Sequence, residues 1–284
     1  MMRTIHWGVA AATFLYVGAV SAAELPKFAP DSFMAKIQQR GTFNAGVKAE
    51  MPGIGYLNPM TGTYEGFVID LSTDLAERMF GEPGHIAYRP TLPITRITML
   101  NQGLVDATIE TMFINKERWK QIDFAEPYWG APLRIMVQKS NTTIKTLADL
   151  KGRNIGSTKG SSSEMKFRNP NSGFPQVKLV MFDSTPEAIE AVRVGRVEAA
   201  VFDETLGLPA MKVAPDAYKY VGENLSYDYY GIGVAQGHPE FVEYINVWLR
   251  EIKANGKWVH FYKKNLPGEV PEPPMPPFDK AFYK

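Results

Sequence analysis

The chain has 284 residues, a formal net charge of +1 and no cysteine. So balanced a charge leaves no basic footprint for nucleic acid. The lack of thiols excludes disulfides, thiolate metal sites and a lipid-bearing N-terminal cysteine. Arg3, an apolar run over residues 7–20 and the small residues Ser21, Ala22 and Ala23 read as an export signal cleaved after Ala23. The run is too short and wrongly flanked for a membrane span. Residues 1–23 are therefore expected to be a signal peptide, and the mature protein a soluble occupant of an envelope compartment, most simply a periplasm.

Helix and strand signals alternate through most of the remainder, which argues for an α/β architecture with largely parallel sheets. Asp31 is placed to cap a helix that carries Phe33 and Ile37 and stops at Gly41, and a strand follows over 42–47. A turn at 58–62 leads to a helix over 66–80 that ends at Gly81, with Asp70 in a structural place at its entry. A strand at 86–88, a helix over 93–102 closed by Gly103 and a buried strand at 105–109 follow. After an extended segment at 133–137 the rhythm restarts, with helices expected at 146–150, 161–167 and 186–194 and strands at 154–156, 177–181 and 199–202. A strand at 232–235, an amphipathic helix over 240–254 and a last helix to about 264 close the pattern, with Val242, Ile245, Trp248 and Leu249 at core spacing. Residues 265–284 contain Glu-Pro-Pro-Met-Pro-Pro and cannot form a regular helix or a central strand.

One short pattern occurs twice. Gly103-Leu104-Val105-Asp106-Ala107 and Gly195-Arg196-Val197-Glu198-Ala199 share glycine, valine, acid and alanine, each where a helix gives way to a buried strand. With matching flanks, this favours two similar lobes over one continuous sheet. Lobes of this kind bring their carboxyl-end loops face to face around a crevice, where small ligands bind.

Residues 96–129 carry the chemistry. A helix, a glycine stop and a buried strand deliver Arg118 ahead of Asp123-Phe124 and Pro127-Tyr128. A guanidinium at such a junction can grip a small carboxylate with two parallel hydrogen bonds. Catalytic signatures are lacking: histidines 6, 85, 238 and 260 have no metal-ligand spacing, and there is no nucleophile elbow or phosphate-binding glycine loop. Ser161 has no identifiable base. No metal and no cofactor are expected.

Gly46-Val47-Lys48, Glu65 to Leu71, Leu100 to Arg118, Phe124 to Tyr128, Thr146 to Gly152, Gly160-Ser161-Ser162, Val197 to Glu204 and Asn246 to Gly256 occur in an order and spacing that resemble one family. It is the bacterial extracytoplasmic solute-binding proteins that serve polar amino-acid ABC transporters, with the glutamate- and aspartate-binding branch most similar. The resemblance implies an α/β two-lobed periplasmic-binding-protein (Venus flytrap) fold, with two mixed, mostly parallel sheets joined by two hinge strands. Lobe one would comprise 24–132 plus 233–264 and lobe two 133–232, with hinges near 133–137 and 229–234 and a proline-rich extension over 265–284.

By the same resemblance, Arg118 would take a ligand's α-carboxylate, helped by amides and hydroxyls at Ser161 and Ser162. Asp203 would take the α-amino group, and Arg96 a side-chain carboxylate, so an acidic amino acid is favoured. Three residues depart from the pattern around Thr111. Phe113 stands in place of a hydroxyl, Asn115 replaces a threonine, and Glu110 replaces a small residue, where it could repel an anionic ligand, attract a cationic group, or pair with Arg96 or Arg118. Thr111, Glu110 and Phe113 are candidate pocket residues, whereas Tyr56 and Trp129 read as core. The implied function is a monomeric periplasmic substrate-binding component of an importer that hands a small amino acid or related carboxylate to a membrane permease. The alternatives are an accessory protein of this fold that assists a dehydrogenase, or a cyclohexadienyl-dehydratase-like enzyme that uses Glu110. Two opposed charges suffice in principle: each charge-assisted hydrogen bond contributes roughly 1.5–3 kcal/mol, and micromolar affinity needs about −8 kcal/mol.

Overall fold

The computed structural model describes residues 27–275. The expected signal peptide and the end of the proline-rich extension lie outside the described residues. The chain runs through α1 (Phe33–Arg40), β1 (Phe43–Val47), β2 (Glu50–Met51), β3 (Gly55–Leu57), β4 (Tyr64–Glu65) and α2 (Phe67–Phe80). Next come β5 (Ile86–Pro90), α3 (Arg96–Asn101), β6 (Ala107–Thr108), α4 (Lys116–Trp119), β7 (Asp123–Phe124) and the long β8 (Trp129–Gln138). The second half holds β9 (Asn154–Thr158), α5 (Ser162–Arg168), β10 (Lys178–Phe182), α6 (Thr185–Arg193), β11 (Ala199–Asp203), α7 (Glu204–Val213) and β12 (Tyr218–Tyr230). The chain then returns through β13 (Gly233–Val234), α8 (Pro239–Ala254) and α9 (Lys257–Asn265).

These strands form two five-stranded sheets of matching plan, β5-β1-β6-β13-β7 and β10-β9-β11-β8-β12. The repeated glycine-to-alanine pattern leads into the central strand of each, β6 and β11. Its physical meaning is a pair of matching clamps. Asp106 donates its amide to the Asn44 carbonyl at 2.8 Å and accepts the Asn44 amide on its carboxylate at 2.7 Å. Glu198 does the same to Asn154, at 2.9 and 3.3 Å. Arg40 and Arg153 hold the two carboxylates from outside. Gly103 and Gly195 stop the preceding helices at φ 68° and 74°, a conformation only glycine adopts without strain.

Both sheets are mixed, with two parallel and two antiparallel pairings each, so parallel pairing does not predominate. In the second sheet the antiparallel share comes from β8, which arrives from the first lobe, and β12, which returns alongside it; in the first it comes from β13, the strand that follows the return. β12 escapes a sequence reading because it is largely half-exposed and polar, as in Lys219, Glu223 and Asn224. The small β2-β3-β4 meander was likewise not anticipated. Three expected boundaries shift. Ser32, not Asp31, caps α1, because its extended backbone lets its hydroxyl accept the Ala35 amide at 3.1 Å. α3 begins at Arg96, after a turn in which the Leu92 amide bonds the Thr95 hydroxyl at 3.1 Å. β6 shrinks to two residues, although Asp106 and Ile109 still bond to β1.

α8 buries Phe241, Ile245, Trp248, Leu249 and Ile252 along one face, as its periodicity predicts. Phe67 at the start of α2 is fully buried and meets Trp129, Trp258 and Tyr262 edge-on at 5.3, 5.4 and 5.6 Å. Trp258 donates to the Tyr128 carbonyl at 2.8 Å, so this aromatic cluster ties α2 and α9 to the root of β8. The described part of the proline-rich extension lies against the first lobe: Leu266 is buried, and Lys253 donates to the carbonyls of Pro127 and Pro274 at 2.7 and 2.6 Å. Phe67→Ala should cost about 3–5 kcal/mol of stability. Denaturant unfolding will measure it, and a loss below about 1 kcal/mol would show that the cluster collapses without penalty.

Candidate ligand-binding site

Arg118 sits in the single turn of α4. Asn115 starts that turn, its side-chain oxygen accepting the Arg118 amide at 3.0 Å, which gives the departure at this position a capping role. The guanidinium is 3% exposed and donates to the Phe113 carbonyl at 2.6 Å. It also reaches the opposite sheet's loops, the Gly160 carbonyl at 3.0 Å and the Ser162 hydroxyl at 3.3 Å. One side chain thus bridges the segment after β6 and the segment after β9.

Asp203 ends β11. It occupies the N-cap position of α7, yet its carboxylate makes no capping bond. It accepts instead from the Tyr230 hydroxyl at 3.0 Å, and that hydroxyl also meets Thr205 at 3.1 Å. Ser161 caps α5 by accepting the Glu164 amide at 3.2 Å, so its helix role is realised. Arg118, Asp203, Arg96, Thr111, Ser161 and Ser162 all line one cavity. Its volume is about 20 Å³, enough for one water, because the segment 160–162 is drawn onto Arg118.

Two candidates stand behind this wall, not on it. Phe113 stacks flat on Tyr230, with ring centroids 4.6 Å apart and planes 8° from parallel, and its side chain is core. It contributes to the site through its carbonyl and by steadying the tyrosine that holds Asp203. Glu110 is fully buried, accepts from the Thr91 hydroxyl at 3.1 Å and lies 3.5 Å from Arg96. Of the partners open to Glu110 from the sequence, Arg96 is the one it meets, so Arg96 has an internal counter-ion. Lys48, Thr158 and Thr185 also line the cavity and were not singled out beforehand. Lys48 was legible in Gly46-Val47-Lys48 at a strand end, whereas Tyr230 lay hidden in the unrecognised β12.

Burial dominates the electrostatics. The Arg118 guanidinium is pulled down to about 9, first by desolvation and then by its neighbour Arg96, against the attraction of Asp203 and Glu110. The Asp203 carboxyl is pushed up to about 7 by desolvation, opposed by its bond from Tyr230 and by Lys48, Arg118 and Arg96. Both charges therefore remain under-compensated by the chain itself, a condition typical of functional sites.

For Asp203 the folded state binds a proton more tightly than the unfolded chain does. Its contribution to stability is therefore greatest below pH 4, falls between about pH 4 and 7, and is flat above 7. Asp203→Asn should remove this fall and stabilise the protein at pH 8 by roughly 2–4 kcal/mol. Parallel denaturant titrations from pH 4 to 8 will check it, and identical slopes for the two proteins would contradict it.

Residues 43–268 match the family described as bacterial extracellular solute-binding proteins, family 3. The glutamine-binding protein of Geobacillus stearothermophilus is 36% identical over 204 residues, 72% of this chain and 76% of that protein. The ABC transporter glutamine-binding protein of Bacillus subtilis is 30% identical over 245 residues, 86% of this chain and 88% of that protein. Among solved structures, an ancestral arginine-binding protein bound to arginine superposes with a TM-score of 0.71 at 36% identity, covering 80% of this chain and 99% of that one.

Proposed function

We propose, from the premise that this chain belongs to the bacterial extracellular solute-binding proteins of family 3, that it closes on a free α-amino acid between its lobes and delivers it to an ABC-importer permease. The observation that carries this reading is the placement of buried Arg118 and Asp203, from opposite sheets, on one cavity. A zwitterion carries both an anion and a cation, and it would supply each buried side chain with a counter-charge. The glutamine-binding relatives support an amino-acid ligand and an importer as partner.

In binding, the α-carboxylate takes two parallel hydrogen bonds from Arg118, and the Ser162 hydroxyl adds a third from the opposite lobe. The ammonium meets Asp203, which Tyr230 holds in place. The side chain extends toward Arg96 and Thr111. This chemistry orients and sequesters a ligand and requires no bond to break, so the reading is of a binding protein, not an enzyme. We set the hinges where the chain crosses between sheets, around 125–129 and 230–233. There the Ala125 and Tyr128 amides bond the Ile232 and Tyr230 carbonyls at 2.9 and 3.0 Å. Lobe one then runs to residue 128 and resumes at 233, and lobe two is 129–232; the boundary falls ahead of the 133–137 expected from the sequence, because β8 already pairs with β12 from Trp129 on. Residues 1–23 would direct a monomeric protein to the periplasm and be removed there.

A thermal-shift panel of the amino acids tests the function, since a ligand that binds the folded state raises the melting temperature by mass action. At least one amino acid should give a saturable shift, and a flat panel would refute the reading. Arg118→Ala should weaken that ligand by at least about 2 kcal/mol, or roughly 30-fold, in calorimetry; unchanged affinity would remove Arg118 from the site. Gly160 has φ +74°, and a Cβ there would lie 2.6 Å from the Pro93 carbonyl of the facing lobe. Gly160→Ala should therefore hinder closure and lower affinity at least about tenfold. Wild-type affinity in that variant would show that the lobes need not approach so closely.

A further inference from the structure

Glu110 lies just past β6 and behind the cavity wall. Its Oε1 accepts from the Thr91 hydroxyl at 3.1 Å, while Oε2 lies 3.5 Å from Arg96 Nη1. The same arginine nitrogen donates to the Thr111 carbonyl at 3.3 Å. The guanidinium that faces the cavity beside Thr111 is thus already matched by a carboxylate of the chain. Lys48 is matched as well, with its Nζ 3.2 Å from Glu50. Arg118 and Asp203 remain for the two charges on a ligand's backbone.

Cations Lys48, Arg96 and Arg118 therefore face anions Glu110 and Asp203 in the interior and Glu50 at its partly exposed edge, and the set is balanced. A zwitterion with an uncharged side chain preserves that balance. A side-chain carboxylate would instead bring an unmatched anion to Arg96 and compete there with Glu110, a like-charge encounter that is costly in a dry site. Buried atoms near this end without a hydrogen-bond partner among the described residues include Arg96 Nε, Thr111 Oγ1 and Glu110 Oε2, the last meeting Arg96 only as an ion pair at 3.5 Å. The first is a donor and the second a hydroxyl, and both suit a neutral polar group.

We propose that Glu110 is a specificity-determining residue: as internal counter-ion of Arg96, it tunes the cleft for an α-amino acid with an uncharged polar side chain and against one bearing a carboxylate. Glu110 acts through Arg96 and is a positioning residue, not a ligand contact. The inference rests on the amino-acid reading of the same cleft, and it replaces the acidic side chain anticipated from Arg96 alone.

The test compares pairs of equal shape that differ by one charge, glutamine with glutamate and asparagine with aspartate, by calorimetry on the full chain. For the wild type, the neutral member of a pair should bind at least about tenfold tighter. Glu110→Gln keeps the shape, leaves Arg96 uncompensated, and should reduce that ratio at least about tenfold. The double variant Arg96→Gln, Glu110→Gln removes both charges and should restore the preference for the neutral ligand, which a purely structural role for Glu110 would not do. A wild type that binds the acidic member equally or more tightly overturns the proposal without any variant, and so does an unchanged ratio in Glu110→Gln. Binding of neither pair overturns it as well. The amino-acid reading then survives if another amino acid shifts the melting temperature, and falls with it if none does.

Discussion

A fully desolvated guanidinium, that of Arg118, organises this molecule around itself. A charge removed from water is tolerated only where hydrogen bonds and counter-charges are built for it. Here the Phe113 carbonyl serves it from one half of the chain, and the Gly160 carbonyl and Ser162 hydroxyl from the other. The requirements of one side chain thus draw two sheets together. Burial nonetheless pulls the guanidinium down and pushes the Asp203 carboxyl up. The lobes supply enough to bury these groups and too little to satisfy them, which is the condition under which a small zwitterion gains most by joining.

The scaffold makes this possible through duplication of plan. β6 and β11 are the central strands of matching sheets, and each is pinned at its start by an acid that clamps an asparagine backbone. The pins fix the opposite end of each sheet, where the loops bearing Arg118 and Asp203 emerge. An aromatic cluster around Phe67 and Trp129 then braces the point where the chain crosses from one sheet to the other. In the proposed closure, the crossing is where the chain would bend to open or close the cleft.

Much of this was legible in the sequence, because it depends on local rules. Helix stops at Gly41, Gly81 and Gly195 and the apolar face of α8 follow from backbone freedom and periodicity. The repeated glycine-valine-acid pattern announced two lobes before its clamping role was visible. Arg118, Asp203, Ser161 and Ser162 could be named from motif order alone. What stayed hidden depends on contacts between distant segments. A pairing of Glu110 with Arg96 or Arg118 was open in the sequence, but only the fold, by bringing the end of β6 against α3, decides for Arg96, and Phe113 looks like a pocket residue until its ring is seen flat on Tyr230. β12 is interrupted by the exposed Gly222, Glu223 and Asn224, which break its alternation, and its register is set by pairing with β8. The tyrosine that orients Asp203 was hidden with it.

If two lobes meet over one ligand, a distance across the cleft reports it directly. The chain has no cysteine, so an introduced pair is labelled without interference. Met60 in the first lobe and Val194 in the second are both well exposed and suit spin labels. Pulsed electron spin resonance should give a broad or longer distance in the free protein and a single shorter one with a bound amino acid. A distribution that is the same with and without a ligand known to bind would contradict closure, and with it the role given to the charges on either side.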